Sequence, residues 1–223
     1  MSKYRVDSVY KLLEQSRRQF ERLPHNIDQK WTKAVQLGWY PTSYMPFHLS
    51  NKSLSTQENL DLRLLDAFEA NYSEAKDYLL NNGRDRRHII SVAIDLHESR
   101  NYIASIPLFL SQSDGIFEEL LGQSVFTRRS QNLDKVGRKL DSIFETDSIR
   151  RAIFGLFCKE SPYSAKSDSF SKDDKAKSPN RNGILHGDYR HLDYGTYMNS
   201  CKSICLLSSI IWLMSAHEEE QTS

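Results

Sequence analysis

An arginine and a histidine stand five positions apart late in the chain, in the stretch N-R-N-G-I-L-H-G that begins at Asn180. The guanidinium of Arg181 stays cationic and can hold phosphate oxygens with its planar fork. His186 is the type of side chain best suited to give or accept a proton near neutral pH. The two residues together are the minimum needed to cut a phosphodiester bond without a metal ion.

The spacing of this pair restricts the local structure. On a straight helix, five positions rotate by about 500°, which leaves the two side chains about 140° apart. Arg181 must therefore lie at the turn into a helix, or the helix must be irregular. Gly183 lowers the conformational cost of an irregular helix, and Pro179 favours entry into a helix at this point. Asn182 can hydrogen-bond either His186 or a phosphate.

Acidic residues near the pair allow two interpretations. Asp114 lies in an apolar helical run and needs a partner if it is buried, so it can orient Arg181 or His186. It can equally be an exposed residue on a polar helix face. In the alternative without a catalytic site, Arg181 pairs with Asp188 or Asp193, and His186 is only a satisfied residue at a helix end.

Basic side chains elsewhere are candidate RNA contacts. Arg190 and His191 are the better candidates, because they lie close to the motif. Two further basic clusters, within residues 84–88 and 128–129, can carry phosphates but are more typical of solvated helix ends. Net charge is only +1, so RNA binding requires a local basic patch and not a global field.

The segment around Arg181 resembles the R-x4-6-H signature of the HEPN superfamily (higher eukaryote and prokaryote nucleotide-binding domains), in which a polar residue often follows the arginine. The resemblance continues through I-L-H-G at Ile184, Y-G-T at Tyr194 and the matching Asn199. It also includes the block Y-I-A-S-I-P-L-F-L-S-Q-S-D-G that starts at Tyr102, and it covers roughly residues 57–216.

Membership of this superfamily implies an all-α bundle, a homodimer with a shared cleft, and RNA cleavage that needs no metal or cofactor. Many relatives serve as bacterial toxins or antiviral defence effectors. Cleavage by internal attack requires a base, an acid and a cation at the phosphate. Since one histidine does not easily serve both sides of an in-line displacement, a dimer that supplies His186 twice is chemically reasonable.

Composition favours a soluble globular protein, with 26% charged residues and a mean hydropathy of −0.60. The longest apolar run, 204–216, is shorter than the about 20 residues that a bilayer requires, so we expect a buried helix and no membrane contact. Cys201 and Cys205 are better explained as buried thiols than as zinc ligands, which favours a reducing cytoplasm. No P-loop, G-x-S-x-G or H-E-x-x-H motif is present in the sequence.

Apolar periodicity predicts helices throughout and no long strand. Residues 1–55 are expected to be a helical and aromatic extension, and 56–223 a HEPN-like helical domain. The polar segment 159–180 inside it is predicted to be a flexible linker. Expected helices cover 3–23, 28–37, 56–80, 84–96, 102–121, 134–144 and 148–158, with a final central helix after Thr196. The aromatic residues of 39–47 either seat the extension on the core or stack bases.

The sequence therefore predicts an all-α, metal-independent endoribonuclease, a cytoplasmic homodimer that acts in phage defence or in a toxin–antitoxin system. Arg181 and His186 would be catalytic, with Asn182 and Asp114 in support. The alternative is a catalytically inactive HEPN-like module that binds nucleotide, RNA or a partner protein. A toxin held inactive by an antitoxin or another regulatory protein is a further possibility.

Overall fold

The computed structural model describes residues 22–124, 126, 130–145, 147–169 and 179–222. The all-α class is confirmed, because these residues form helices, turns and connecting segments without a strand. The predicted helix over 3–23 falls almost wholly outside the described residues, as do Arg128 and Arg129.

Nine α-helices are seen in the described part of the chain. They are α1 (22–35), α2 (Gln57–Ala70), α3 (Tyr72–Asn82), α4 (Arg87–Glu98), α5 (Tyr102–Leu121), α6 (Ser130–Ile143), α7 (Ser148–Gly155), α8 (Arg181–Leu185) and α9 (Tyr197–Thr222). Short 3-10 helices lie at Arg84–Arg86, Leu156–Cys158, Pro162–Ser164, Ser167–Ser169 and Tyr189–His191.

Helix α9 lies at the centre of the protein, as predicted. Every residue from 201 to 211 is buried, so the helix has no polar face along this stretch. It packs mainly on α5 and also on α2 and α3. The hydroxyl of Thr196 accepts from the backbone N–H of Asn199 at 3.2 Å and caps its first turn. The segment Tyr197–Glu219 is long and apolar enough to cross a membrane, but 78% of its apolar window is buried inside the protein, as in the core helix of a soluble protein.

Helix α5 begins at Tyr102 and continues through Pro107. Proline has no N–H, so the carbonyl of Ile103, four residues earlier, lacks its helical donor. The hydroxyl of Tyr194 donates to this carbonyl at 2.8 Å. The amide of Asn199 in turn donates to the carbonyl of Tyr194 at 2.9 Å. The segment before α9 is thereby fixed against the start of α5.

The aromatic residues between α1 and α2 belong to the core. Trp39 is fully buried, and its indole N–H donates to Asp61 at 2.7 Å. The same carboxylate binds the buried Lys202 of α9 at 2.9 Å. Tyr44 donates to Ser208 of α9 at 2.9 Å. These rings seat the N-terminal segment and are not presented to bases, so the described part of 1–55 shares one core with the rest of the protein.

Two predicted helix boundaries were wrong. The single helix expected over 56–80 is split at Asn71, whose backbone leaves the helical region at φ −119° and ψ 17°. Its side-chain amide bonds the carbonyl of Ala67 at 2.7 Å, a local bond that competes with the helical ladder. The helix predicted over 28–37 instead covers 22–35 of the described chain and includes Pro24.

The first half of the segment predicted to be a flexible linker, 159–180, packs on the core through Tyr163. Tyr163 is 1% exposed, and its ring packs beside Tyr40 and Phe126. Its hydroxyl donates to the carbonyl of Gly38 at 3.2 Å. One large aromatic side chain thus anchors an otherwise polar segment, which composition alone does not reveal. Residues 170–178 lie outside the described part of the chain.

Candidate functional site

Helix α8 has only five residues and depends on Asn180 for its position. The side chain of Asn180 is fully buried, and its amide oxygen accepts from the N–H of Gly183 at 2.7 Å, which caps the helix. Its amide nitrogen donates to the carbonyls of Pro162 and Ala165 at 2.8 and 2.6 Å. One side chain therefore both starts α8 and ties it to the 3-10 helix that carries Tyr163.

Arg181 is the first residue of α8, at the turn into the helix as the spacing predicted. Its Nη2 lies 3.3 Å from Oδ2 of Asp114, and its Nη1 lies 3.2 Å from the amide oxygen of Asn182. The guanidinium carbon is 5.8 Å from the centre of the Phe126 ring. The Nε atom is buried and has no hydrogen-bond partner among the residues that the structure describes. With 29% of the side chain exposed, the guanidinium is held in place and still reaches solvent.

Asp114 lies in the middle of α5 and is 18% exposed. One carboxylate oxygen binds Arg181, and the other accepts from the hydroxyl of Ser124. The ion pair of Arg181 is therefore with Asp114, whereas Asp188 pairs with Arg190. The contact with Asp114 also shows that residues 67 positions apart in sequence form one polar group.

His186 follows the last residue of α8 and is exposed. Gly187 has a φ of +66°, which a glycine adopts at little cost. The N–H of Asp188 bonds the carbonyl of Gly183 at 2.9 Å, which completes a Schellman-type ending. Among the described residues, the His186 ring has no hydrogen-bond or ion-pair partner. Asn182 binds Arg181 and not His186. Arg181 and His186 are thus presented by the two ends of one short helix.

Arg190 and His191, the candidate RNA contacts near the motif, have structural partners. Arg190 forms a two-pronged ion pair with Asp188, with bonds of 2.9 and 2.6 Å. Hydrogen bonds from Arg190 hold the pKa of Asp188 well below its usual range. His191 is 2% exposed, and its Nε2 lies 3.0 Å from the carbonyl of Ser167. His191 therefore packs against α8 at Gly183 and does not face a ligand at the surface.

The basic cluster at 84–88 also has acidic partners. Arg84 pairs with Glu218 and Arg86 with Glu119, and Arg86 also donates to Gln112 at 2.9 Å. These contacts fit a solvated helix end better than a row of phosphate ligands.

The sequence reasoning missed three exposed apolar residues beside His186. Leu185, Tyr189 and Leu192 are 42%, 66% and 67% exposed, and we call them the apolar rim. Scattered exposed apolar residues are ordinary, but three within eight positions form a local patch. Their sequence signal is large apolar side chains in a stretch otherwise rich in charged residues.

Comparisons with known protein families, with curated proteins and with solved structures found no match.

The cysteine thiols are structural in this fold. Cys201 and Cys205 are fully buried in α9, and burial raises the pKa of both thiols above its ordinary value. Within the described ranges, no group of three or more His, Cys, Asp or Glu side chains is placed to hold a metal ion.

Proposed function

We propose that this protein is a metal-independent endoribonuclease of the HEPN type. Arg181 holds the scissile phosphate, and His186 moves the proton. The observation that carries the proposal is the construction of α8, whose first residue is a partly buried arginine and whose end presents an exposed histidine. Such an arrangement supplies a phosphate-binding cation and a proton-transfer group without a metal.

The contact between Arg181 and Asp114 supports phosphate binding. At 3.3 Å it is longer than the about 2.7–2.9 Å of a strong charge-assisted hydrogen bond. Asp114 therefore orients the guanidinium while a phosphate can still compete for its N–H groups. No described residue bonds the buried Nε of Arg181, so a small rotation of the guanidinium on substrate binding would break no hydrogen bond to these residues at that atom.

A homodimer would complete the chemistry. The apolar rim lies next to His186, and a second copy that covered it would bring a second histidine to the same region. One histidine would then take the 2′-OH proton while the other protonates the leaving 5′-oxygen. We place this activity in the cytoplasm, in a phage-defence or toxin–antitoxin setting.

The test is to incubate purified protein with total tRNA and rRNA in EDTA. Wild type should produce 2′,3′-cyclic phosphate or 3′-phosphate ends, and His186→Ala should produce none. The matched control is His88→Ala, which removes another exposed histidine and should leave cleavage unchanged. Equal cleavage by wild type and His186→Ala would show that His186 is not catalytic.

A second function has one observation in its favour. No described residue hydrogen-bonds His186, whereas a general base is usually oriented by a third group. The protein would then be a catalytically inactive module that binds RNA, nucleotide or a partner such as an antitoxin. In that case Arg181→Ala weakens RNA binding and His186→Ala does not, and expression in bacteria is not toxic.

A further inference from the structure

A second, aromatic cleft lies away from α8, where the starts of α3, α5 and α9 meet the end of α4. It has a volume of ≈ 510 Å³ and is lined by Tyr72, His97, Glu98, Arg100, Tyr102 and Tyr197. Tyr102 and Asp114 are twelve residues apart on α5, so the two regions are separated by about 18 Å along this helix. We call this site the tyrosine cleft.

The floor of the tyrosine cleft is His97, which is 5% exposed. Its Nδ1 lies 2.7 Å from the hydroxyl of Ser200, which lies 3.2 Å from the hydroxyl of Ser105. Ser105 donates to the carbonyl of Tyr102 at 3.5 Å. If each hydroxyl donates once along this chain, Ser200 donates to Ser105 and must accept from Nδ1–H of His97. The Nε2 atom is then a lone-pair acceptor.

Two observations make this acceptor available to a ligand. No described residue bonds the Nε2 of His97, although the ring lines the cleft. Burial lowers the pKa of His97 to about 4, so the ring is neutral at physiological pH. A neutral acceptor on a ring that lines the cleft, without a partner among the described residues, favours a ligand that carries an N–H or O–H donor.

The walls are the rings of Tyr72, Tyr102 and Tyr197, whose centres lie 5.4, 5.6 and 5.6 Å from the centre of the His97 ring. Faces of tyrosine rings attract cations. Tyr72 also donates its hydroxyl to Glu98 at 3.2 Å, which makes its ring richer in electrons. Burial, and then neighbouring carboxylates, raise the pKa of Tyr72, so this ring remains a neutral phenol.

The charges around the tyrosine cleft are acidic in balance. Three carboxylates, those of Glu69, Asp95 and Glu98, interact with its side chains. Two cations, Lys76 and Arg100, lie near them. Lys76 is engaged with Glu98 at 2.8 Å. Arg100 lines the cleft, and its charge opposes a cationic ligand. The sign of its effect on binding therefore discriminates between ligand classes.

We propose that the tyrosine cleft binds a small organic cation with N–H donors, an alkylguanidinium or alkylammonium compound. The tyrosine faces attract the charge, Glu98 balances it, and Nε2 of His97 accepts one N–H. This site is independent of RNA cleavage, so its existence and that of the proposed ribonuclease are tested separately.

The test is isothermal titration calorimetry on the full chain with methylguanidinium, tetramethylammonium and adenosine monophosphate. Methylguanidinium should bind, and about 2- to 10-fold more tightly than tetramethylammonium, because only it can donate to His97. Adenosine monophosphate, a planar anion, should bind more weakly than either. Tighter binding of adenosine monophosphate, or no binding of the two cations, would overturn the proposal.

Two variants that remove charges of opposite sign test the charge of the ligand. Glu98→Gln should weaken methylguanidinium binding about 2- to 5-fold, and Arg100→Gln should tighten it. The exposed Glu58→Gln is the matched control and should change nothing. His97→Asn keeps a donor for Ser200 and removes the acceptor in the cleft, so it should abolish the preference over tetramethylammonium. If Arg100→Gln weakened methylguanidinium binding instead, the charge of Arg100 would not oppose the ligand and the proposal would be wrong.

If His97→Asn does not fold by circular dichroism, Tyr102→Leu replaces it. Loss of one partly exposed aromatic wall should weaken the binding of both cations about 2- to 30-fold. Unchanged binding of both cations in this variant would refute a role for the tyrosine faces.

Discussion

Replacing Asn180 by alanine tests how the short helix α8 is held. The side chain is fully buried and makes three hydrogen bonds, one to the N–H of Gly183 and two to the carbonyls of Pro162 and Ala165. Loss of an N-cap costs about 0.5–2 kcal/mol. The carbonyl of Pro162 keeps the N–H of Ala165 as a partner, so this lost bond costs about 0.5–1.5 kcal/mol.

The carbonyl of Ala165 has no other hydrogen bond among the described residues, and leaving such a buried group unsatisfied costs about 1–3 kcal/mol. We therefore expect Asn180→Ala to lower the free energy of unfolding by about 3–4 kcal/mol, which corresponds to a fall in Tm of roughly 10 °C for a chain of this size. The measurement is urea unfolding followed by circular dichroism, with Tm from calorimetry.

Two further variants separate the cap from the tether. Asn180→Ser keeps an acceptor for Gly183 but cannot donate to both carbonyls, so it should lose about 2–3 kcal/mol. The exposed Asn59→Ala is the control and should stay within about 0.5 kcal/mol of wild type. If Asn180→Ser were as stable as wild type, the bonds to the 162–165 segment would contribute nothing and the reasoning would be refuted.

Three other predictions concern separate regions. Gly183→Ala should lower the free energy of unfolding in urea by about 1–3 kcal/mol, because the added methyl would overlap the buried ring of His191. The control Gly155→Ala meets open space and should not destabilise the protein. Equal effects of the two substitutions would contradict this packing. Arg100 has a φ of +61°, so Arg100→Gly should raise the free energy of unfolding by about 1 kcal/mol, and a loss would show that the backbone is unstrained there. His97 has a pKa of about 4 in the folded protein against 6.5 for the free side chain, so the unfolded chain binds more protons between these values, and stability should fall by about 2 kcal/mol from pH 7 to 4.5. His97→Phe should lack this component, and an unchanged pH profile of unfolding would count against it.

The elements that position the site follow from local patterns in the sequence. The apolar composition of α9 predicted a central helix, and the spacing of Arg181 and His186 predicted a turn into a helix at Arg181. The contact between Asp114 and Arg181 was one of two interpretations that burial arguments left open. A charge in an apolar helix needs a partner, but nothing in the local sequence identifies Arg181, 67 positions away, as that partner.

The remaining features depend on tertiary contacts. Tyr163 orders a polar segment because Tyr40 and Phe126 happen to lie beside it. His191 looked like a surface ligand, yet it is buried under Gly183. Arg190 is near the motif in sequence, but its guanidinium is paired with the carboxylate of Asp188. In each case the packing of whole helices determines which residues come into contact.

The central position of α9 has a consequence for the order in which this protein gains activity. Every other described helix precedes α9 in the chain, and α5 has its largest interface with it. While the ribosome is still making the chain, α5 lacks this partner, and Asp114 on α5 has no rigid base from which to orient Arg181. Native pairing between distant segments must wait until both exist. If the protein is the ribonuclease proposed above, a nascent chain would stay inactive until α9 has emerged, which would delay cleavage of RNA near the ribosome that makes it.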